Sequence, residues 1–589
     1  MTRRMSRLSA VCAVIIIAAA AIFSSSLFAA PAAGGTTDDT ATINLRPDNY
    51  PDDLNFWSDY PSDELALALV NRMSDTELLA QTLMLSWLGQ EPSEQLTTWI
   101  DDRACGSIKV FGWNSDNLEI LADAISFYQE RAQATRFRIP LFVATDQEGG
   151  WIRHVKGETS DTPGNLAIGA GALPADAYYT GYYIGREMAA LGINMNFAPT
   201  LDLYTQIDSS VIGPRSFGED PETAGILGAS FMQGSLDAGV LATAKHFPGH
   251  GDTSDDSHGK LPVINIDEQT LNTREIVPFK TLIDAGIPAI MSGHLNFPEI
   301  TGNGEPASLS KYFLTDVLRG ELGFDGLIIT DDMTMIGATA YAGTLSNAVQ
   351  MSLRAGNDIV LFAESPAPND AAWTKNYRLM QEDEEFHDIV KEAARRIIKT
   401  KLDYFKGDNA APLFPDSATL SEKIPDPEGV EFYTQQALRS ISVTKADLFP
   451  YTTEMASQEK VLICGQFIKY GDEFVKRYPD ADFYSYKYSM TAEQLAEYKE
   501  TLPYSVRRHD TIIFCVANAE SEALARTLKG CGKKVIIISI LSPKFTLSLD
   551  FADTILYAYS YSDYSFKAAA AVLAGEVPAL GVLPVTIGD

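Results

Sequence analysis

The sequence predicts an α/β protein: a (β/α)8 barrel, or TIM barrel, followed by a smaller α/β domain with an open sheet. Two observations lead to this prediction. Eight short apolar runs rich in β-branched residues alternate with longer amphipathic stretches, and their starts lie 25 to 53 residues apart. That spacing leaves room for a crossover helix between parallel strands. A second series of alternating runs follows a proline-rich stretch, which indicates a second sheet.

The barrel elements follow in order along the chain. A capping-box spacing at Ser74-Asp75-Thr76-Glu77 marks a helix start before the first strand. A last amphipathic helix carries apolar residues near 3.6-residue spacing from Val390 to Phe405. We predict the eight strands at Thr82–Trp87, Ser107–Phe111, Leu141–Asp146, Asn194–Thr200, Val240–Phe247, Ala289–His294, Leu327–Asp331 and Asp358–Ala363.

The second series predicts the strands of the smaller domain. These runs are Lys460–Cys464, Ala481–Tyr488, Asp510–Val516, Lys533–Leu541 and Thr554–Tyr559. We therefore divide the chain into a signal peptide at 1–33, an N-terminal extension at 34–62, the barrel at 63–406, a linker at 407–430 and the second domain at 431–589.

The first 33 residues have the pattern of an export signal. A basic start with Arg3, Arg4 and Arg7 precedes the apolar run Leu8–Phe23, and Ala30-Pro31-Ala32 offers small residues for cleavage. An uncleaved membrane anchor is the alternative. We expect an exported protein, periplasmic or extracellular.

Charge and cysteine content exclude several classes of partner. The chain has 46 basic and 78 acidic residues, a net charge of −32, which disfavours nucleic acid and acidic membranes as partners. Of five cysteines, Cys464 and Cys515 lie in strand-like apolar runs and are expected to be buried thiols. No Cys-x-x-Cys pair suggests zinc or redox chemistry.

Polar residues end several of the predicted barrel strands. Asp146, Lys245, His246, His294 and Asp331 each close an apolar run. The active site of a TIM barrel lies at the carboxyl ends of its strands, so these side chains are expected at the barrel mouth. Adjacent strand residues point to opposite sides; we therefore assign Asp331 to the mouth, and its neighbour, the next aspartate, to capping the following helix.

Three of the seven histidines fall within the thirteen residues from His246 to His258. This segment starts at a strand end, contains glycines and a proline, and is predicted to be a loop over the barrel mouth. Asp256 and His258 are two residues apart, a spacing that lets a carboxylate orient an imidazole. A polar loop without chemistry, or a metal site that also uses His250 and Asp252, stays open as an alternative.

These segments together resemble glycoside hydrolase family 3, in its two-domain β-N-acetylglucosaminidase (β-N-acetylhexosaminidase) branch. The most specific part is the loop that ends in Asp256-Ser257-His258. The other matching segments are Asp146-Gln147-Glu148-Gly149-Gly150, Asn196-Phe197-Ala198-Pro199, Arg215-Ser216-Phe217-Gly218 and Ile329-Thr330-Asp331-Asp332-Met333.

The resemblance implies a role for each matched residue. Asp331 would be the nucleophile, His258 the general acid/base and Asp256 its orienting partner. The residues implied to hydrogen-bond the sugar in the first subsite are Asp146, Arg215, Lys245 and His246.

One segment departs from the family pattern. The family usually has arginines at the positions of Trp151 and His154, and here Arg153 lies between them. Arg153 is our candidate for the missing sugar contact.

The expected function is that of an exported retaining glycosidase, which removes terminal β-linked N-acetylglucosamine from cell-wall or chitin-type glycans. A phosphorylase of the same glycosides, a β-glucosidase and a non-catalytic glycan-binding protein are the alternatives. We expect a carbohydrate substrate, a monomer, and neither a cofactor nor a metal.

Overall fold

The computed structural model describes residues 50–209, 211–255 and 259–587, and from Pro51 onward these residues form one compact unit. The strands of the first sheet are β1 Leu83–Ser86, β2 Ser107–Lys109, β3 Phe142–Thr145, β6 Met195–Asn196, β7 Leu241–Phe247, β8 Ala289–Ser292, β9 Leu327–Thr330 and β10 Val360–Leu361; the strands β4 Gln147–Gly149 and β5 Ile152–Arg153 form a separate hairpin. Those of the second sheet are β11 Ser442–Ala446, β12 Val461–Gly465, β13 Asp482–Ser485, β14 Thr511–Val516, β15 Lys534–Ser539 and β16 Thr554–Tyr557.

The first sheet is a parallel barrel, as predicted. Its strand order is β10-β1-β2-β3-β6-β7-β8-β9. A parallel bridge between Ile329 of β9 and Ile359, directly before β10, joins the two ends of this order and closes the barrel. Every residue of these eight strands is buried, which explains why their sequences are continuous apolar runs. The (β/α)8 fold places all eight carboxyl ends at one mouth.

Helices surround the barrel and flank the second sheet. The predicted capping box is confirmed, because the Ser74 side chain accepts from the Glu77 N–H and the Glu77 carboxylate accepts from the Ser74 N–H. The α-helices are Ser62–Val70, Asp75–Gln81, Glu94–Arg103, Leu118–Ala134, Asn165–Gly171, Pro174–Ala190, Pro221–Asp237, Glu268–Thr270, Ile276–Asp284, Pro298–Thr301, Ile336–Ala342, Leu345–Ala355, Ala371–Glu382, Glu384–Phe405, Pro427–Ser440, Thr453–Ala456, Ile468–Arg477, Ala492–Val506, Ala519–Ala525 and Asp563–Leu573, and π-helical segments span Leu271–Glu275 and Tyr312–Glu321.

The second sheet has the order β11-β16-β15-β14-β12-β13, and the predicted α/β open sheet is confirmed. Its five predicted strands are parallel, whereas β11 was not predicted and runs antiparallel to β16 at the edge. The alternation of buried and exposed residues in β11, with Thr444 and Lys445 near its centre, hides the strand from a search for apolar runs. Cys464 and Cys515 are buried free thiols, as expected.

The carboxyl end of the barrel faces the second sheet. Tyr204, which follows β6, forms a 2.6 Å hydrogen bond with Ser542, which follows β15. One buried cluster joins Leu166 and Ala170 of the barrel to apolar side chains of the second sheet. The predicted linker contains the 3₁₀ helix Ser417–Glu422. The signal-peptide prediction lies outside the described residues, and no helix within them has the length and apolar character of a membrane span.

Candidate active site

Five charged side chains form a buried network at the barrel mouth. Asp146, directly after β3, accepts hydrogen bonds from Lys109 and Lys245. Lys245 also lies 2.6 Å from Glu148, and Glu148 accepts a bidentate pair from Arg215 at 2.7 and 2.9 Å. Glu148 and both lysines are about 1% exposed, and charges buried to this extent require partners. The network thus presents Asp146, which is 16% exposed, to the cleft as a rigid carboxylate.

The charges of the network keep its carboxylates ionised. Burial alone would raise the pKa of Asp146, but the ammonium groups of Lys109 and Lys245 hold it well below its usual value. Burial opposes ionisation of Glu148 too, and Arg215 and Lys245 bring its pKa to about 2. Both groups are therefore hydrogen-bond acceptors at neutral pH.

His154, which directly follows hairpin strand β5, also contacts this network. Its Nδ1 lies 3.2 Å from Lys109 Nζ and 3.5 Å from Asp146 Oδ2. Burial, and then the charge of Lys109, lowers the pKa of His154 to about 4, so the ring is neutral. Because an ammonium group can only donate, Nδ1 accepts from Lys109 and the ring proton is on Nε2. The His154 side chain is 31% exposed, which leaves it accessible to a ligand.

Asp331 lies at the end of β9, across the mouth. Its Oδ1 accepts from the backbone N–H of Asp332 at 2.8 Å, its Oδ2 is 4.0 Å from His246 Nε2, and the side chain is 20% exposed. Burial would raise the pKa of Asp331, but His246, His294 and the Asp332 N–H hold it below its usual value. Asp331 is thus an ionised, partly accessible carboxylate, as a glycosidase nucleophile must be.

Two histidines next to Asp331 are fixed by neighbouring groups. His246 Nδ1 is 2.6 Å from the buried carboxylate of Asp202, which also accepts from the backbone N–H of His250 at 2.7 Å. His294 Nε2 donates to the carbonyl of Asp332 at 3.0 Å, while its Nδ1 lies 2.6 Å from Ser308 Oγ. A carboxylate on one ring nitrogen orients the other, so His246 Nε2 is directed toward Asp331.

Known proteins share this arrangement of elements. The family model for the N-terminal domain of glycosyl hydrolase family 3 matches residues 75–400. The chain belongs to that family. The prediction of a glycoside hydrolase is confirmed at this level, as is the resemblance on which it rested.

The family 3 chain is similar to proteins named beta-hexosaminidase and to a solved β-N-acetylglucosaminidase. A beta-hexosaminidase of Thiobacillus denitrificans is 35% identical over 303 residues, which cover 50% of this chain and 81% of the relative. The beta-hexosaminidase A of Pseudoalteromonas piscicida is 33% identical over 321 residues, and the chain spans about half of that protein's length, 53%. A solved family 3 β-N-acetylglucosaminidase from Paenibacillus sp. str. FPU-7 has a TM-score of 0.79 and 28% identity, with 87% of this chain and 99% of that one covered.

The structure brings most of the predicted site residues of this family 3 chain together. Asp146, Arg215 and Lys245 share one network through Glu148, and His246 bridges toward Asp331. Asp256 and His258 lie outside the described residues, so their roles stay predictions.

Arg153 points away from this network. Its guanidinium donates to the carbonyl of Thr159 at 2.5 Å, whereas His154, the residue that follows strand β5, contacts Asp146. The predicted sugar contact of Arg153 stays a prediction, but the position next to Asp146 is taken by His154.

The helix-cap prediction for Asp332 is wrong. The next helix starts at Ile336 with Met335 as its N-cap and no side-chain cap bond. The Asp332 carboxylate instead accepts from the N–H groups of Thr334 and Ala363, both at 3.0 Å. It ties the turn after β9 to the segment that follows β10.

Three residues of the site were not predicted: two belong to the network, and the third holds His246. Lys109 interrupts the apolar run Ser107–Phe111, and it is buried in the structure. A lysine within a run that is predicted to be a buried strand could have indicated a charged partner, because lysine is almost never buried unpaired. Glu148 lies in a motif that carried the resemblance, yet no role was assigned to it. Asp202 follows a predicted strand without any distinguishing pattern, and only the fold shows its contact with His246. Among the described residues no group of three or more His, Cys, Asp or Glu side chains is arranged to hold a metal ion.

Proposed function

We propose that this chain hydrolyses terminal β-linked N-acetylglucosamine from glycans with retention of configuration. The observation that carries the proposal is the ionised, 20% exposed carboxylate of Asp331 at the mouth, opposite the Asp146 network. Carboxylates and cations fixed in a buried network are suited to a sugar's hydroxyl groups, because they accept and donate hydrogen bonds without reorganisation. The names of the relatives support N-acetylglucosamine as the sugar.

The chemistry divides into two displacements at the anomeric carbon. Asp331 forms a bond to that carbon while the glycosidic C–O bond breaks, and the leaving oxygen takes a proton from His258. Water then attacks the anomeric carbon and gives a proton to His258, and the Asp331 ester bond breaks. In this proposal Asp256 is the orienting partner of His258, because a carboxylate in that role fixes the tautomer of an imidazole.

The first experiment compares 4-nitrophenyl β-glycosides of N-acetylglucosamine, glucose and xylose. We expect the highest kcat/KM on the N-acetylglucosaminide, and equal or higher activity on the glucoside contradicts the proposal. The same reactions run in phosphate are checked for sugar 1-phosphate, whose accumulation identifies a phosphorylase. Activity that is lost in chelator and restored by zinc revives the metal-site alternative.

The second experiment tests His258 through its leaving-group dependence. His258→Ala is expected to lose about 10²–10⁴-fold on disaccharides, which need protonation of the leaving oxygen, and much less in the first step on nitrophenyl glycosides. Release of nitrophenol then shows a burst, and azide accelerates turnover and yields a glycosyl azide. Equal losses on both substrates without a burst contradict the acid/base assignment.

We also propose that the enzyme acts outside the cytoplasm, on the support of the leader pattern in residues 1–33. Fractionation of the producing cells, followed by N-terminal sequencing of the active protein, tests this. Full-length protein confined to the cytoplasm contradicts it.

A further inference from the structure

The loop after β7 is held at its base by two separate sets of contacts. On the β6 side, the Asp202 carboxylate accepts from the backbone N–H groups of His246 and His250, at 3.2 and 2.7 Å. Gly251 packs there so closely that a Cβ on it would lie 1.9 Å from the carbonyl oxygen of Leu203. These contacts fix one side of the base of the loop.

The second set of contacts comes from the π-helical segment Leu271–Glu275, which lies between β7 and β8 in the chain. Arg274 donates to the Asp252 carboxylate and, at 2.7 Å, to Oε1 of Glu275. The Glu275 side chain is 1% exposed and lies against Gly249, where an added Cβ would meet Glu275 Oε2 at 2.8 Å. We call Arg274 and Glu275 the outer anchor of the loop.

Glu275 is an unusual residue for a buried position of this kind. Its Oε1 accepts from Arg274, but its Oε2 is buried and has no hydrogen-bond partner among the described residues. A buried carboxyl group with an unsatisfied oxygen destabilises a fold, and an apolar side chain would fill the same space without that penalty. The order that Glu275 gives to Arg274 and to the loop at Gly249 accounts for its presence.

Removal of Arg274 does not leave a buried charge without a partner. Burial raises the pKa of Glu275 to about 7, and Arg274 is the group that opposes this most strongly. Without Arg274 the Glu275 carboxyl group therefore takes up a proton at neutral pH. Asp252, the other partner of Arg274, is 34% exposed and accessible to water. A variant at position 274 is thus expected to release the loop while the barrel keeps its fold.

The anchored segment continues directly into the residues that the acid/base step requires. Asp252 lies four residues before Asp256 and six before His258. A proton donor must come within about 2.6–3.2 Å of the atom that takes the proton. A shift at Asp252 is carried along this short stretch of chain and is large enough to disturb such a distance.

We propose that Arg274 and Glu275 are positioning residues for proton transfer, because they hold the base of the loop that continues to His258. The proposal rests on the proposed function and deepens it. In that function His258 gives a proton to the leaving oxygen and later takes one from water, so both displacements depend on how the loop is held. Neither residue of the outer anchor needs to touch the sugar.

The test uses two substrates whose leaving groups differ in their need for a proton. The β-1,4-linked disaccharide of N-acetylglucosamine needs one on its leaving oxygen, whereas 2,4-dinitrophenyl β-N-acetylglucosaminide releases a phenolate that leaves without it. The variants are Arg274→Met, Arg274→Lys and Asp252→Asn. Arg395→Met is the matched control, because Arg395 is 27% exposed, against 29% for Arg274, and forms a bidentate pair with Glu392 on the helix Glu384–Phe405.

The measured quantity is the ratio of kcat/KM on the disaccharide to kcat/KM on the dinitrophenyl glycoside. We expect Arg274→Met to lower this ratio about tenfold, less than the 10²–10⁴-fold typical for complete loss of an acid/base group. On the dinitrophenyl glycoside its kcat and KM should fall together, because the second displacement has become slow, and azide should restore kcat. Loss of folded protein lowers kcat equally on both substrates and changes neither KM nor the ratio.

The other variants test whether the effect passes through the contact between Arg274 and Asp252. Arg274→Lys keeps a cation for one of the two carboxyl groups and should recover part of the ratio. Asp252→Asn should lower the ratio as well, and it should add little to Arg274→Met, because the two changes act on one interaction.

An unchanged ratio in Arg274→Met, or an equal fall in Arg395→Met, overturns the positioning role and leaves the proposed function intact. The positioning role is also overturned if Arg274→Met lowers the ratio as much in the His258→Ala chain as in the wild type, because the effect then does not depend on His258. Absence of wild-type turnover on both substrates overturns the proposed function itself.

Discussion

At the scale of single residues, the site separates two kinds of carboxylate. Asp146 and Glu148 are each held by two cationic groups, which makes them fixed acceptors. Asp331 touches no lysine or arginine in the described structure; its Oδ1 bonds a backbone amide and its Oδ2 has His246 Nε2 at 4.0 Å. A carboxylate that must form a bond to carbon needs this weaker hold, because a lysine on each oxygen would reduce its nucleophilicity.

Asp331 and Asp332 offer a matched pair for mutation. Asp331→Asn removes the proposed nucleophile, and turnover of 4-nitrophenyl N-acetylglucosaminide is expected to fall by more than about 10³-fold, a loss characteristic of covalent catalysis. Asp332→Asn keeps the acceptor that bonds Thr334 and Ala363 and is expected to lose far less. A 2-fluoro glycoside followed by peptide mass spectrometry should label the segment 327–333, and a label elsewhere refutes the assignment.

His154 is expected to act as a neutral donor to the sugar. Its Nδ1 is occupied by Lys109, so Nε2–H is the group it offers to the cleft. His154→Ala should lower kcat/KM about tenfold to hundredfold, the range for a hydrogen bond within a charged network, and His154→Gln should restore part of it. Because the pKa of His154 is about 4, this loss is expected to be constant from pH 6 to pH 8. If the kcat/KM of His154→Ala stays within twofold of the wild-type value, His154 does not bind the sugar.

At the scale of elements, sequence patterns located strands better than they located side-chain partners. Continuous apolar runs revealed all eight barrel strands, because strands buried on both faces leave no polar alternation. The β4-β5 hairpin was not predicted, because no apolar run marks it. Its two strands pair at only two positions, and the turn between them contains Gly149 and Gly150, which have positive φ. For the same reason the different contacts of Arg153 and His154 could not be predicted from the sequence, and Arg153 was chosen in place of His154.

Two barrel helices are packed through glycine. In Pro221–Asp237, a Cβ on Gly234 would lie 1.9 Å from the carbonyl oxygen of Tyr178 in the helix Pro174–Ala190. That oxygen is backbone, so the helices would have to separate. Gly234→Ala is expected to destabilise the protein by about 1–3 kcal/mol, although alanine favours a helix by about 1 kcal/mol. Denaturant unfolding measures this, with Gln233→Ala, an exposed neighbour, as the control; a stabilised Gly234→Ala contradicts the packing argument.

At the scale of the whole molecule, the second domain helps to position the loop that carries Arg215. The Glu219 N–H donates to the carbonyl of Pro584 at 3.1 Å, and the Glu219 carboxylate accepts from the Thr586 N–H at 2.9 Å. Glu219 lies four residues after Arg215, whose guanidinium holds Glu148. The far end of the described chain thus fixes the loop that completes the Asp146 network, a contact between distant segments that no local pattern predicts.

The interface between the barrel and the second domain is expected to make them unfold together. Domains move independently unless their interface is large and apolar, and here one buried cluster joins Leu166 and Tyr204 to the second sheet. A bidentate pair from Arg439 to Asp176 adds a charged contact, in which the Asp176 side chain is only 6% exposed. Calorimetry should therefore show one transition, and loss of glycosidase activity on heating should coincide with it.

Arg439→Met tests how strongly that contact couples the two parts. The substitution leaves the buried carboxylate of Asp176 without its partner, and we expect the free energy of unfolding to fall by about 2–4 kcal/mol. This is less than the destabilisation expected for a fully buried ion pair, because Arg439 is 30% exposed. Asp176→Asn in the same chain removes the stranded charge and should recover at least half of the loss, since the two changes act on one interaction. The single transition should move to lower temperature as a whole. If it instead splits, with activity lost in only one of the two steps, the barrel and the second sheet are independent folding units and the apolar cluster is too weak to join them.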